Sequence, residues 1–360
     1  MNKLTLTTLT VRGTPRELGH AQGEALRPLI GAFVEQRLTA LRGYLAERNE
    51  SARFSEFVDV GRRCSSIAQS FDPKGYAEHE AIAEAAQIAP ELLYAATNMT
   101  DVRDVLVLPM APDREGCTSL LLPKQRSRDH QLLAGQTWDL NPTDLDFVVA
   151  IHRLPNDGLE TWSVTCAGAL SLIGMNERGV AVGTTNIKTR ASRPGVGYLS
   201  ILHKAVTESS FDAAVAAVRS APRAAAHTYW VADADRALEL ECDPVLVVER
   251  ELSAEAIVQT NHCQAEELAA REGEAPSASS QRRLARARAL LAEPNQDFAS
   301  IEALFADRSD GVDSINRYTE DAQGTTTNAC FIARPSTREI RACRGPADRG
   351  EWQTLAFERG

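Results

Sequence analysis

The hydrophobic period of the chain changes at Cys117, and that change limits the folds open to it. Upstream, Leu18, Ala21, Ala25, Leu26, Ile30, Phe33 and Leu38 recur near helical spacing. They follow Thr14-Pro15-Arg16-Glu17, a helix start with Thr as N-cap, Pro in the first helical position and Glu17 closing a capping box. Further helices are predicted over 52–70, 74–87 and 90–99. Downstream, 118–122 and 132–138 read as neighbouring strands joined by the polar turn 124–130. Strands 147–151 and 161–164 are linked through Pro155-Asn156-Asp157-Gly158, and 180–183 follows a turn built by Asn176 and Gly179. Helices are predicted again over 197–208 and 211–220, then strands over 227–233, 237–242, 245–250 and 256–260. A polar loop spans 264–280. An Arg-rich helix then runs to about 292, and its basic residues read as a solvated face on an acidic protein. The end returns to strands at 329–333, 339–343 and 352–357. Runs of helices and strands without βα alternation predict an α+β fold with layered, mainly antiparallel sheets.

Length and charge narrow the function classes. The 360 residues can bury a substantial core. A formal net charge of −10 argues against a nucleic-acid partner, which needs a basic face. No GxGxxG or P-loop sequence is present, which removes nucleotide-binding folds from the leading readings. Residues 1–11 alternate polar and apolar, the pattern of a strand rather than of a signal peptide. No apolar run approaches the roughly 18 residues of a membrane span. A cytoplasmic protein with no membrane partner is expected.

The seven cysteines are scattered, and no two share CxxC spacing. No HExxH or close run of His and Asp ligands occurs either, so a metal-dependent amidase finds no support and the site is expected to need neither metal nor cofactor. Most of the cysteines should be buried thiols acting as small apolar residues. Cys117 differs because it follows Gly116 at the junction of the helical and strand-rich parts. Cleavage of the Gly116–Cys117 bond would put an α-amine on the residue that carries the thiol. Such an amine titrates near pH 7.7–8.0 and can take the thiol proton directly or through one water. That chemistry needs no histidine, which suits a sequence whose seven histidines form no obvious constellation. Glycine suits the position before the cut because it crowds the attack least.

Several segments, in order, resemble the acyl-coenzyme A:6-aminopenicillanate acyltransferase family of N-terminal nucleophile hydrolases. Arg12-Gly13-Thr14-Pro15-Arg16-Glu17-Leu18-Gly19 with Gln22-Gly23 resembles its opening helix motif. Gly116-Cys117-Thr118-Ser119 resembles its self-cleavage site, and Gly135-Gln136-Thr137-Trp138-Asp139 its GQNWD strand with Thr in place of Asn. Ile173–Gly179 followed by Asn186, then Thr260-Asn261-His262 and Ser314-Ile315-Asn316-Arg317, complete the series.

The resemblance implies a four-layer αββα sandwich and an autocatalytic precursor that splits into a helical fragment, 1–116, and a strand-rich catalytic fragment, 117–360. The two would stay together as one folded unit, and such α/β heterodimers could associate further into a homo-oligomer. Cys117 would be the nucleophile toward a small amide or thioester, an acyl-CoA donor included. Ser119 or Thr118 would donate a hydroxyl hydrogen bond during self-cleavage. Asn261 would stabilise the oxyanion, since its amide donates without titrating. Asp139 would orient the α-ammonium or a catalytic hydroxyl, or pair with Arg317, which could instead hold a carboxylate through its planar fork. Thr118, Trp138, Asn186 and His20 would wall the substrate pocket, and His262 would orient its loop. A choloylglycine-type hydrolase shares this nucleophile, but the long helical segment before Cys117 disfavours it. A binding protein that kept the sandwich and lost catalysis is the alternative outside enzymes.

Overall fold

Thr14 caps the first helix as its sequence requires: its side chain accepts from the Glu17 amide, and Glu17 Oε2 accepts from the Thr14 amide at 2.7 Å. The computed structural model of the chain describes residues 3–106, 116–273 and 275–358. Of the predicted first strand, residues 1 and 2 lie outside the described residues, as do 107–115 of the first fragment.

Among the described residues of the first third, six helices form: α1 (Pro15–Ala25), α2 (Arg27–Glu47), α3 (Arg53–Phe71), α4 (Pro73–Ala86), α5 (Pro90–Thr97) and α6 (Met99–Val105). The opening motif works through helix packing. A Cβ on Gly19 would lie 2.1 Å from the Glu78 carbonyl, and one on Gly23 would lie 2.5 Å from the Ile82 carbonyl. Both glycines therefore let α1 lie directly against α4. Gln22, on the same buried stripe, donates to the Ala169 carbonyl at 3.2 Å.

Two sheets form the centre. The larger has eight strands in the order β1 (Thr7–Gly13), β4 (Val148–Pro155), β5 (Thr161–Cys166), β6 (Ile173–Asn176), β7 (Ala181–Asn186), β8 (His227–Ala232), β9 (Ala237–Cys242) and β10 (Val247–Glu251). All its pairs are antiparallel except β1 with β4, so a strand of the helical part completes the sheet. The predicted first strand thus forms six residues later than its alternation suggested.

The smaller sheet is antiparallel, in the order β11 (Ile257–Gln259), β2 (Thr118–Leu122), β3 (Leu133–Leu140), β12 (Thr326–Arg334), β13 (Glu339–Arg344) and β14 (Gln353–Thr354). Period-two alternation separates its faces. Leu121, Ala134 and Trp138 join the core shared with the large sheet. Leu120, Leu122 and Leu133 pack instead with Leu284 and Phe305, from α10 (Ala278–Leu291) and α11 (Phe298–Phe305). Helices α7 (Tyr198–Val206) and α8 (Phe211–Ser220) join α1–α6 on the other side of the large sheet, and the short α9 (Glu266–Ala269) interrupts the predicted polar loop. The result is α+β, as the pattern of elements predicted, and the four-layer αββα sandwich that the family resemblance implied.

Gln136 ties the two sheets together. Its Nε2 donates to the Thr184 carbonyl, and its Oε1 accepts from the Thr184 amide and from Trp230 Nε1, each at 2.8 Å. A Cβ on Gly183 would lie 2.3 Å from Gln136 Oε1, so the staple requires glycine there. Asn176 builds its turn as expected: Oδ1 accepts from the amides of Arg178 and Val180, while Gly179 takes φ +78°. All seven cysteines are free and buried.

Candidate active site

Cys117 stands at the entrance to β2, where Thr118 pairs with Thr137 of β3. The Thr118 amide donates to Thr137 Oγ1 at 3.1 Å, so the threonine that replaces the family's asparagine holds this junction. Cys117 is 6% exposed, and its Sγ lies 3.8 Å from the Asp139 carbonyl oxygen. It lines a narrow, partly open cleft between the sheets. Trp138, Leu140 and Leu172 supply apolar wall; Thr184, Asn186 and His227 supply polar groups.

On the Gly116 side the chemistry is ionic. A Cβ on Gly116 would lie 2.7 Å from Arg317 Nε and 2.8 Å from Asp139 Oδ2. Both partners are fully buried, and their nearest charged atoms stay 3.9 Å apart. Neither Asp139 oxygen finds a hydrogen-bond partner among the described residues, and neither does Arg317 Nε. Burial pushes the Asp139 carboxyl up to about 6; Arg317, Arg283 and the nearby hydroxyls of Thr327 and Thr137 oppose the rise. Arg317 Nη1 donates to Thr325 Oγ1 at 2.6 Å, and Nη2 donates to Ser279 Oγ.

Arg283 corrects the reading of the Arg-rich helix. Arg282 and Arg288 are exposed as expected, but Arg283 is fully buried. Its Nη1 donates to the Gly116 carbonyl at 2.7 Å, to the Cys117 carbonyl, and to Thr118 Oγ1 at 3.2 Å. Its Nη2 donates to Asn261 Oδ1 at 2.9 Å. A legible signal existed: Ser279, Arg283, Ala287 and Leu291 share one i, i+4 stripe of α10, and all are buried.

The other predicted residues divide. Asn261 Nδ2 donates to the Asn186 carbonyl at 3.0 Å, so the structure joins Asn186, Asn261 and Arg283 in one chain of contacts. Ser119 follows Cys117 by two residues in the same extended segment, and it is buried. Thr118 faces Arg283 rather than the cleft. His262 Nδ1 lies 2.7 Å from Ser280 Oγ, which also accepts from the Asn261 amide, so it orients the loop as expected. Its pKa is lowered by burial and by Arg283 and Arg288.

His20 does not reach the cleft. It is exposed on α1 and sits 3.6 Å from Glu24, because the buried stripe of that helix passes through Leu18, Gly19, Gln22 and Gly23. The helical part contributes Thr100 of α6 to the cleft instead, and Asp101 of the same helix contacts the cleft residue His227. Asp101 Oδ1 lies 2.6 Å from His227 Nε2, and Asp101 Oδ2 accepts from the Tyr198 amide at 2.8 Å. Tyr198 stacks on His227 with ring centroids 4.7 Å apart. A histidine therefore does line the cleft, although the sequence offered no constellation for it.

No helix among the described residues is long and apolar enough to cross a membrane. Among those residues no group of three or more His, Cys, Asp or Glu side chains gathers as a metal-ligand set.

Comparison with known proteins bears on the same region. The fold is similar to a penicillin V acylase from Agrobacterium tumefaciens, at 13% identity and a TM-score of 0.46 over 67% of this chain and 86% of that one. It is also similar to a mutant conjugated bile acid hydrolase from Clostridium perfringens, at 10% identity and a TM-score of 0.44 over 68% and 97%. The family model for acyl-coenzyme A:6-aminopenicillanic acid acyl-transferase matches residues 126–348. That stretch begins just after Cys117 and contains Asp139, Asn186, Asn261, Arg283 and Arg317. Because it takes in well over half of the sequence, the chain belongs to the acyl-coenzyme A:6-aminopenicillanic acid acyl-transferase family.

Proposed function

We propose that the chain is a self-processing N-terminal cysteine amidohydrolase or acyltransferase acting on a small N-acyl amine or N-acyl amino-acid amide. The observation that carries this reading is Cys117 at the cleft, directly after a glycine that sits against an orphaned buried carboxylate. In the precursor the Cys117 thiolate adds to the Gly116 carbonyl carbon, and Asp139 takes the thiol proton. The C–N bond breaks, the departing amine receives that proton, and a thioester joins Gly116 to the Cys117 sulfur. One water then hydrolyses the thioester, leaving a Gly116 carboxylate and a Cys117 that carries both thiol and α-amine. The products are fragments 1–116 and 117–360.

In the mature enzyme the α-amine accepts the thiol proton, and the thiolate attacks the substrate amide. Asp139 supports this step: once cleavage frees the Cys117 nitrogen, a buried carboxylate without hydrogen bonds becomes the counter-ion of an ammonium. Asn261 supplies a neutral donor for the oxyanion. The acyl-enzyme then passes its acyl group to water or to an amine. Which acceptor wins depends on how well the cleft orients an amine.

Denaturing gels and intact mass of purified protein test the reading. Wild type should give the two fragments, the larger beginning Cys-Thr-Ser by N-terminal sequencing, and Cys117→Ala should give one full-length band. With an N-acyl amine panel, mass spectrometry should find the acyl group on fragment 117–360. A wild type that stays intact and inactive would favour the binding-protein alternative.

A further inference from the structure

We propose that Arg283 is a catalytic residue of self-cleavage, the electrophile that stabilises the oxyanion formed on Gly116. The inference rests on the self-processing reading above and adds to it the group that polarises the scissile bond.

Apart from the hydroxyl expected of Ser119 or Thr118, the roles assigned to this site concern the sulfur, the proton or the later substrate. The carbonyl that Cys117 must attack also needs a donor, because addition of Sγ places a full negative charge on the Gly116 oxygen. Arg283 Nη1 lies 2.7 Å from that oxygen before any reaction occurs. The guanidinium is fully buried, so its field acts with little screening from water. Its hold is built from several directions: Nε lies 3.4 Å from Ser279 Oγ, and Nη2 is fixed on Asn261 Oδ1 at 2.9 Å. The fork therefore reaches the scissile carbonyl with its orientation set by groups that do not react. Charged N–H donors to a developing oxyanion are stronger than neutral ones and need no reorganisation when preorganised.

The charge balance around the bond agrees with this role. Two fully buried guanidiniums, Arg283 and Arg317, flank one buried carboxylate, Asp139. Ser279 Oγ connects the two arginines, accepting from Arg317 Nη2 and Arg283 Nε. An added negative charge at Gly116 is thus favoured twice, first as the tetrahedral oxyanion and then as the carboxylate product.

The step itself is the one already written. Arg283 neither gains nor loses a proton, and its contribution is the fixed positive charge beside the oxygen. The Thr118 hydroxyl then has a different part. Thr118 Oγ1 accepts from Arg283 Nη1 at 3.2 Å and so helps aim the guanidinium.

The test is the processing rate in freshly translated full-length chains, followed on denaturing gels, for wild type, R283Q, R283K and C117A. R283Q should slow appearance of the two fragments by about 100-fold or more, the range found when one oxyanion donor is removed. R283K keeps a positive charge but loses the fork, so its rate should fall between R283Q and wild type. Cooperative thermal unfolding close to that of C117A identifies a folded precursor. If R283Q does not fold, the R283K rate decides. Folded variants that process within threefold of wild type overturn the assignment and leave self-processing standing. A wild type that never processes overturns self-processing itself, and this role with it.

Discussion

Asp139 and Arg317 face each other across 3.9 Å, both fully buried, and the backbone of Gly116 sits against the pair. A buried acid and base of opposite charge ordinarily close to hydrogen-bond distance, since desolvation makes a loose pair costly. Here the pair stays open, with Gly116 set against both charged groups. In the proposed cleavage, departure of Gly116 would let the carboxylate turn to the new ammonium or to the guanidinium.

Gly116→Ala tests that packing. The added methyl would lie under 3 Å from both charged groups, so one of them has to move. Overpacking of a dense site costs about 1–3 kcal/mol. The variant should process at least about tenfold more slowly, on the scale of 1.4 kcal/mol per factor of ten. A time course on denaturing gels measures it, and wild-type kinetics would rule out the crowding.

Asp139 predicts a pH dependence of stability. Its pKa in the folded chain is about 6, above the ordinary aspartate value of about 3.9. Between these values the folded state binds more protons than the unfolded state, so stability falls as pH rises through the window and stays lower above it. In a C117A background, Asp139→Asn should therefore be more stable than its parent at pH 7.5, by on the order of 1–3 kcal/mol. Denaturant unfolding at pH 4 and pH 7.5 should show the advantage only at the higher pH. In the active background the same substitution should abolish the processing step that rises with a midpoint near pH 6.

Gln136→Ala should damage the whole sandwich. It strips partners from the Thr184 amide and carbonyl and from Trp230 Nε1, all buried between the sheets. An unsatisfied buried group costs about 1–3 kcal/mol, so a loss of at least 3 kcal/mol is expected. Urea unfolding of the C117A parent with and without the change gives the figure. A loss below about 1 kcal/mol would mean that the staple carries little.

Asp101→Ala should loosen the cleft. It leaves His227 without its 2.6 Å carboxylate and the first turn of α7 without the acceptor for Tyr198 N–H. Each buried polar group left without its partner costs about 1–3 kcal/mol. Asp101 lies in the helical fragment, so gel filtration in mild denaturant should release fragment 1–116 from the processed variant before it does so from wild type. Equal release would show that the Asp101–His227 contact does not hold the fragments.

Much of the molecule was readable locally. The capping box at Thr14–Glu17, the helices α3 to α5 and the strands after Cys117 follow from propensity, turn residues and apolar spacing, all set by near neighbours in the chain. The candidate site residues Cys117, Asp139, Asn261 and Arg317 stand in motifs that can be named in order along the chain. Two members escaped. Arg283 was grouped with its exposed neighbours by charge, although its place on the α10 stripe marked it as buried. His227 carries no local mark at all, because β8 is buried along its whole length and gives no alternation to read.

By itself the sequence determined where the chain turns from helix to strand, which cysteine follows a glycine at that border, and which side chains could do amide chemistry there. Only the tertiary structure decided which of them meet. Arg283 reaches Gly116 across 167 residues and His227 reaches Asp101 across 126. Such contacts depend on the stacking of two sheets and the helices that cover them. Stacking is set by the sum of many weak apolar contacts, and no short stretch of sequence contains that sum.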